Sequence, residues 1–168
     1  LVRRTSAACS ATRMGHEIII VDDNSPDGTG DLAEKLGKSF SVKVVHRAGK
    51  LGLSTAVLEG FEAASGSILV VMDADLSHPP EKISEMVERI TKGGADMVIG
   101  SRYVEGGHVE NWPFRRRLMS KSATLLARGL TKVKDPMSGF FAIKREVVEG
   151  VELNPIGYKI ALEILVKG

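Results

Sequence analysis

Three carboxylates crowd the stretch Asp22-Asp23-Asn24-Ser25-Pro26-Asp27-Gly28-Thr29, directly after the apolar run Ile18 to Val21. Pro26-Asp27-Gly28 is turn punctuation, and Thr29 reads as the N-cap of a following helix. A turn does not call for Asp22 beside Asp23. Adjacent carboxylates at a strand end are costly unless hydroxyls, amides or a cation meet them. A second acidic stretch, Asp73-Ala74-Asp75-Leu76-Ser77-His78-Pro79-Pro80, follows the apolar run Ile68 to Met72. In locally extended backbone, residues two apart point the same way, so Asp73 and Asp75 can offer their oxygens to one hard cation. Mg²⁺ takes one or two protein carboxylates and fills its remaining positions with water and substrate phosphate, and Mn²⁺ accepts similar ligands. His78, ahead of two prolines, reads as structural rather than as a ligand.

The third feature is basic. From Trp112 the chain carries Arg115, Arg116, Arg117, Lys121, Arg128, Lys132 and Lys134 with no acid until Asp135, and Arg102 follows the apolar run Met97 to Ile99. One reading is a solvated helix face. The other is a surface for an anion: Arg suits bidentate phosphate contact, and a helix N-terminus near Arg115 adds amide donors. An anionic substrate and an anionic membrane surface both fit.

These residues need a frame that presents loops. Ile18 to Val21, Val42 to Val45, Ile68 to Met72 and Met97 to Ile99 are apolar on both parities, the pattern of strands covered by helices on both faces. Between them, Leu53, Ala56, Val57, Gly60, Phe61 and Ala64 fall at helical spacing. So do Ile83, Met86, Val87 and Ile90 after the start signal Pro79-Pro80. A helix is predicted from Phe114 to Leu130, then an extended piece over Phe140 to Ile143. The last predicted helix puts Tyr158, Ala161, Leu162 and Leu165 on one face. The order β-α-β-α-β-α-β predicts an α/β fold with a mostly parallel sheet, whose ligand sits beyond the carboxyl ends of the strands.

The chain has 168 residues with 43% hydrophobic and 26% charged residues, enough for one globular core. With 23 Lys+Arg against 21 Asp+Glu the net charge is +2, which argues against a uniformly basic surface for a nucleic-acid polymer. The longest apolar run, Ile68 to Met72, is far short of the ~20 residues of a membrane span. Cys9 alone excludes an internal disulfide or a cysteine-rich metal site, and points to a reducing, cytosolic setting. Leu1 to Gly15, rich in Arg and Ser, free of acids and without hydrophobic period, reads as lying outside the domain: a transit peptide, upstream sequence or cloning artefact. The chain therefore divides into an extension over 1–15 and one domain over 16–168, with both ends reading as cut.

Six stretches in register carry a resemblance from His16 to Gly168: V-D-D-N-S-P-D-G-T, K-L-G-L-S-T-A, V-M-D-A-D-L-S-H-P-P, G-S-R-Y-V, N-W-P-F-R-R-R-L-M-S and D-P-M-S-G-F-F-A-I-K-R-E-V. Together they resemble the polyprenyl (dolichol) phosphate mannosyltransferases, within the inverting family 2 of GT-A glycosyltransferases. The resemblance implies a GT-A (nucleotide-diphospho-sugar transferase) fold and transfer of mannose from GDP-mannose to a polyprenyl or dolichyl phosphate, with Mg²⁺ or Mn²⁺. The protein would then be peripheral at the cytoplasmic face of a membrane. By position, Asp73 and Asp75 would hold the metal, with Ser77 where many relatives have Gln. Asp22, Asp23, Ser25, Lys50, Gly52 and Asp73 would contact the nucleotide. Arg102, Arg116 and Ser120 would hold the acceptor phosphate, and Asp73, Asp75 and Arg102 would form the catalytic set. The family begins with a strand ending P-x-Y-N-E, and Leu1 to Gly15 contains nothing like it. Lack of that strand is expected to expose a sheet edge, to cost several kcal/mol of burial and to abolish tight nucleotide binding.

Competing readings are a UDP-glucose transferase, an inactive fragment, and the receiver domain of a signalling protein. A receiver would use Asp22-Asp23, Asp73 and Ser101, but it needs a Lys followed by Pro after its last strand, whereas Lys144 is followed by Arg145.

Overall fold

The computed structural model describes residues 1–101, 133, 135–154 and 159–168. The predicted helix over Phe114 to Leu130 and the residues Arg102, Arg116, Ser120 and Tyr158 lie outside the described residues.

All four strands read from the apolar runs are present: β1 (Ile18–Asp22), β2 (Val42–His46), β3 (Ile68–Val71) and β4 (Met97–Ile99). Helices follow them in turn: α2 (Thr29–Leu36) after β1, α3 (Leu53–Ala63) after β2 and α4 (Ile83–Thr91) after β3, led in by a 3₁₀ turn at Pro80–Lys82. The stripe of Ile83, Met86, Val87 and Ile90 is buried as its spacing requires.

β1 and β2 pair in parallel, Ile18 opposite Val42 through Asp22 opposite His46. The second sheet departs from the parallel expectation. β5 (Phe141–Lys144) inserts antiparallel between β3 and β4, with Val70 and Val98 both opposite Ala142. This strand, whose extended character was legible but whose direction was not, is the centre of the core. Its pleat sends Phe141 and Ile143 toward Val57, Leu69 and the last helix. Phe140 and Ala142 face Ile83, Met86, Val87 and Ile90 on α4. The short helix α5 (Arg145–Val148) follows β5, and α6 (Ile160–Lys167) closes the described chain. α6 buries Ile160, Ala161 and Ile164, a face rotated from the predicted Ala161, Leu162 and Leu165 because Phe141 and Ile143 meet it there. Arg145 binds the α3 end to β5, donating to the carbonyls of Gly66 at 2.8 Å, Ala64 at 2.8 Å and Phe61 at 3.4 Å. These include carbonyls that a helix C-terminus leaves without intrahelical partners.

The N-terminal stretch differs from the sequence expectation. Val2–Ser10 forms α1, which buries Val2, Thr5 and Ala8 against α4 and its lead-in turn. Arg4 clamps it with two bonds to Glu81, at 2.9 and 3.0 Å. Small residues three apart make this stripe, too weak in hydrophobicity to register as a period.

β1 and β3 each lack a partner along one edge among the described residues. Their residues, apolar on both parities, are mostly half-buried rather than buried. The facing α3 stripe of Ala56, Gly60 and Phe61 is half-buried too. Both strands start at one end, where Glu17 accepts bonds from the Ser65 N–H at 2.7 Å and hydroxyl at 2.6 Å. Their acidic loops therefore leave together at the opposite end.

Candidate functional site

The first loop is built around Asp22. Its carboxylate is buried, accepts the Ser25 N–H at 3.2 Å and lies 3.9 Å from His46 Nδ1. The Ser25 hydroxyl and N–H, with a smaller contribution from His46, hold the Asp22 carboxyl below the usual carboxylate range against the opposing effect of burial. α2 comes so close that a Cβ at Gly30 would stand 2.8 Å from Asp22 Oδ2 and 2.9 Å from His46 Cε1. Any Cβ there would push the Asp22 carboxylate or the His46 ring aside. The N-cap of α2 is Gly28 rather than Thr29, because Asp27 Oδ1 accepts both the Thr29 N–H at 3.0 Å and its hydroxyl at 2.7 Å.

Asp23 is held by Arg47, a residue the sequence reading passed over. The Arg47 side chain is only 1% exposed, with Nη1 2.9 Å from Asp23 Oδ1 and Nε 3.0 Å from Glu59 Oε1. It also donates to the Gly52 carbonyl at 3.3 Å and to the Thr55 hydroxyl. One buried guanidinium thus ties the loop after β1 to the loop after β2. It brings Asp22, Asp23 and Ser25 onto the same frame as Gly52 and the exposed Lys50. A lone Arg directly after the strand Val42–His46 was the only trace of this in the sequence.

The second loop carries Asp73, Asp75 and Ser77. The backbone is not extended across it: Ala74 and Asp75 form a turn, and Leu76 takes φ 65°. Asp75 is exposed and its Oδ1 accepts the Ser77 N–H at 2.9 Å. The Ser77 hydroxyl and N–H hold this carboxyl below the usual carboxylate range. Asp73 is half-exposed, and its N–H donates to His78 Nδ1 at 3.0 Å, so this nitrogen of the ring carries no proton. The imidazole stacks on buried Phe140, centroids 5.1 Å apart and planes 11° apart. His78 therefore closes the loop on Asp73, in keeping with its structural reading.

The floor below Asp73 is made by the β3-β5-β4 sheet. The Gly100 N–H donates to Phe140 O at 2.8 Å, and the Ser138 hydroxyl donates to Gly100 O at 2.8 Å. A Cβ at Gly100 would fall 2.5 Å from the Phe140 ring. Asp135 and Ser138 are buried beside this floor, and the sequence reading gave neither a role.

The residues fit a hard divalent cation in kind. Asp73 and Asp75 are accessible ionised oxygen donors on one turn, whereas no group of three or more His, Cys, Asp or Glu side chains placed to hold a metal occurs among the described residues. That suits an ion that takes few protein ligands and completes its shell with diphosphate and water. The receiver reading fails on geometry: Lys144 pairs with Ile68 at the start of β3, opposite the Asp73 end, and binds Asp96 at 2.8 Å. Among the described residues no helix is long and apolar enough to cross a membrane.

The profile of Glycosyl transferase family 2 matches residues 1–151. The chain is 56% identical over 159 residues to a dolichol-phosphate mannosyltransferase of Pyrococcus furiosus, covering 92% of this chain and 45% of that protein. It is 42% identical to the Saccharomyces cerevisiae dolichol-phosphate mannosyltransferase, covering 90% of this chain and 58% of the yeast protein. It is 43% identical to a polyprenol monophosphomannose synthase of Mycolicibacterium smegmatis, covering 95% and 61%. The chain thus spans about half the length of these relatives. Among solved structures, glucosyl-3-phosphoglycerate synthase of Mycobacterium tuberculosis, crystallised with Mn²⁺, UDP-glucose and phosphoglyceric acid, superposes with TM-score 0.66 at 24% identity, over 96% of this chain and 58% of that one. Mannosyl-3-phosphoglycerate synthase of Rubrobacter xylanophilus gives 0.63 at 19% identity, over 87% and 48%. At these identities the likeness is one of fold.

Proposed function

The chain belongs to glycosyl transferase family 2, and on that premise we propose that it carries the donor site of an inverting enzyme moving mannose from GDP-mannose to a polyprenyl or dolichyl phosphate. The observation that carries the reading is the β3 exit loop, where Asp73 and Asp75 stand accessible within three residues and the Ser77 hydroxyl and N–H lower the pKa of the Asp75 carboxyl further. Identity of 42% or more over nine-tenths of the chain to proteins named for this transfer supports it.

The acceptor determines how little acid-base chemistry is needed. A phosphate monoester has its second pKa near about 6, so it arrives largely as a dianion and needs no general base. The requirement is instead to bring two anions together and to stabilise the departing nucleoside diphosphate. Asp73 and Asp75 would hold Mg²⁺ or Mn²⁺, with Ser77 reaching it directly or through water. When bound, the ion supplies positive charge to the diphosphate oxygens. Asp22, Asp23 and Ser25, fixed by Gly30 and Arg47, would orient the nucleoside end, with Lys50 and Gly52 on the adjoining loop. Arg102, Arg116 and Ser120 are proposed to hold the acceptor phosphate, and the basic run around them to meet the anionic cytoplasmic face of a membrane.

Thermal denaturation with GDP-mannose or UDP-glucose, with and without Mn²⁺, tests the reading. A ligand at about 100 times its Kd stabilises by ~2.7 kcal/mol. Stabilisation by GDP-mannose that requires Mn²⁺ supports it. Stabilisation by UDP-glucose alone transfers the site to a glucosyl donor, and no response to either removes the donor site.

A further inference from the structure

A side chain interrupts the last rung between β4 and β5. The register that sets Ile99 opposite Phe141 sets Gly100 opposite Phe140, and the Gly100 N–H donates to Phe140 O at 2.8 Å. Directly opposed residues of such an antiparallel pair ordinarily exchange both bonds. Here the return bond runs through a hydroxyl: the Phe140 N–H donates to Ser138 Oγ at 3.2 Å, and that hydroxyl donates to Gly100 O at 2.8 Å. Its single proton goes to Gly100, since Phe140 O lies farther away at 3.5 Å. Ser138 is only 4% exposed and its own N–H is bonded to Asp135 O at 3.2 Å, so a closed turn holds the hydroxyl in this place. A hydroxyl set between an N–H and a C=O keeps them farther apart than a direct bond would. It therefore fixes the spacing at which β4 leaves β5.

The two ends so spaced belong to the two halves of the proposed site. On one side the Phe140 ring carries the stacked His78, whose Nδ1 accepts the Asp73 N–H, and a Cβ at Gly139 would stand 3.6 Å from Asp73 Oδ1. On the other side Gly100 is the exit of β4, and Arg102 follows two residues later in the chain. We propose that Ser138 is a positioning residue whose hydroxyl sets where the chain leading to Arg102, and with it the acceptor phosphate monoester, stands relative to the Asp73 loop. This rests on the reading of Arg102 as an acceptor contact. Without the hydroxyl, the Phe140 N–H and Gly100 O meet in a direct bond and the β4 exit closes toward β5. The donor side is spared, because Phe140 O stays bonded to Gly100 and the Phe140 ring stays buried against His78. A shift of about 1 Å is enough to cost on the order of a hundredfold in a reaction that depends on position.

Titration calorimetry on the full chain tests this, with farnesyl phosphate as the acceptor probe and GDP-mannose in Mn²⁺ as the donor probe. The variants are Ser138→Ala and Ser138→Cys. The second fills the same space with a weak donor and acceptor, and it decides alone if the first does not fold. Both should bind farnesyl phosphate at least about tenfold more weakly, and GDP-mannose within about twofold of the unmodified protein. In mannosyl transfer the loss should fall on kcat/KM for farnesyl phosphate, with KM for GDP-mannose unchanged. Unchanged farnesyl phosphate affinity in either folded variant overturns the proposal. An equal loss for both ligands also overturns it, since Ser138 then only supports the fold. An unmodified chain that binds no farnesyl phosphate overturns it as well. An unmodified chain that binds farnesyl phosphate but not GDP-mannose, with the loss still seen in the variants, upholds it and sinks only the donor reading.

Discussion

Asp75 stands in solvent with Oδ1 turned to Ser77, and in the proposed reading it acts through its charge. Replacing it by Asn keeps the shape and removes one anionic ligand from the cation proposed to stabilise the departing group. Asp75→Asn is expected to lower turnover by at least ~2.7 kcal/mol, roughly a hundredfold, in a mannosyl-transfer assay. His78 acts differently. His78→Ala strands the Asp73 N–H and should lower kcat/KM about tenfold, while His78→Asn, which restores an acceptor, should recover most of it. Asp22 gives a pH signature. Its folded pKa lies below the unfolded value of about 3.9, so its stabilisation is present above that value and lost as pH falls through the folded one. Denaturant titrations of Asp22→Asn should show a deficit at neutral pH that closes below about pH 4. The acidic residues were legible because carboxylates after apolar runs are conspicuous. Arg47 was not, since its importance lies in Asp23 and Glu59 meeting it across space.

At the scale of elements, the two acidic loops are positioned by buried contacts rather than by their own turns. Arg47→Met breaks the tie between the loops after β1 and β2. With Asp23 and Glu59 left partly hydrated, it should cost about 3 kcal/mol in chemical denaturation. Gly100→Ala drives a methyl into Phe140, on which His78 stacks. It should cost about 1–3 kcal/mol of stability and weaken donor binding in the same variant. Apolar runs announced β1 to β4, and helical spacing announced α3 and α4. The direction of β5 stayed hidden, because a run such as Phe141-Ala142-Ile143 is equally apolar in either orientation. α1 stayed hidden because its buried stripe includes Thr5 and Ala8. The face of α6 was misassigned by one position, since a helix apolar on most sides is oriented only by what it meets.

At the scale of the molecule, the described residues form two sheets whose acidic loops share one end and whose facing edges border a cavity. β1, β3 and α3 are mostly half-buried where they border it. The central claim concerns charge: the carboxylates leaving β3 are proposed to gather a divalent ion that would make the donor's diphosphate bind and depart. Metal and donor must then be coupled, each raising the other's affinity by the same factor. Isothermal titration of the protein with GDP-mannose, in excess Mn²⁺ and then in chelator, measures this directly. The account predicts binding at least about tenfold tighter with Mn²⁺, ~1.4 kcal/mol, and loss of that gain in Asp75→Asn. Equal affinity in the two conditions would contradict it.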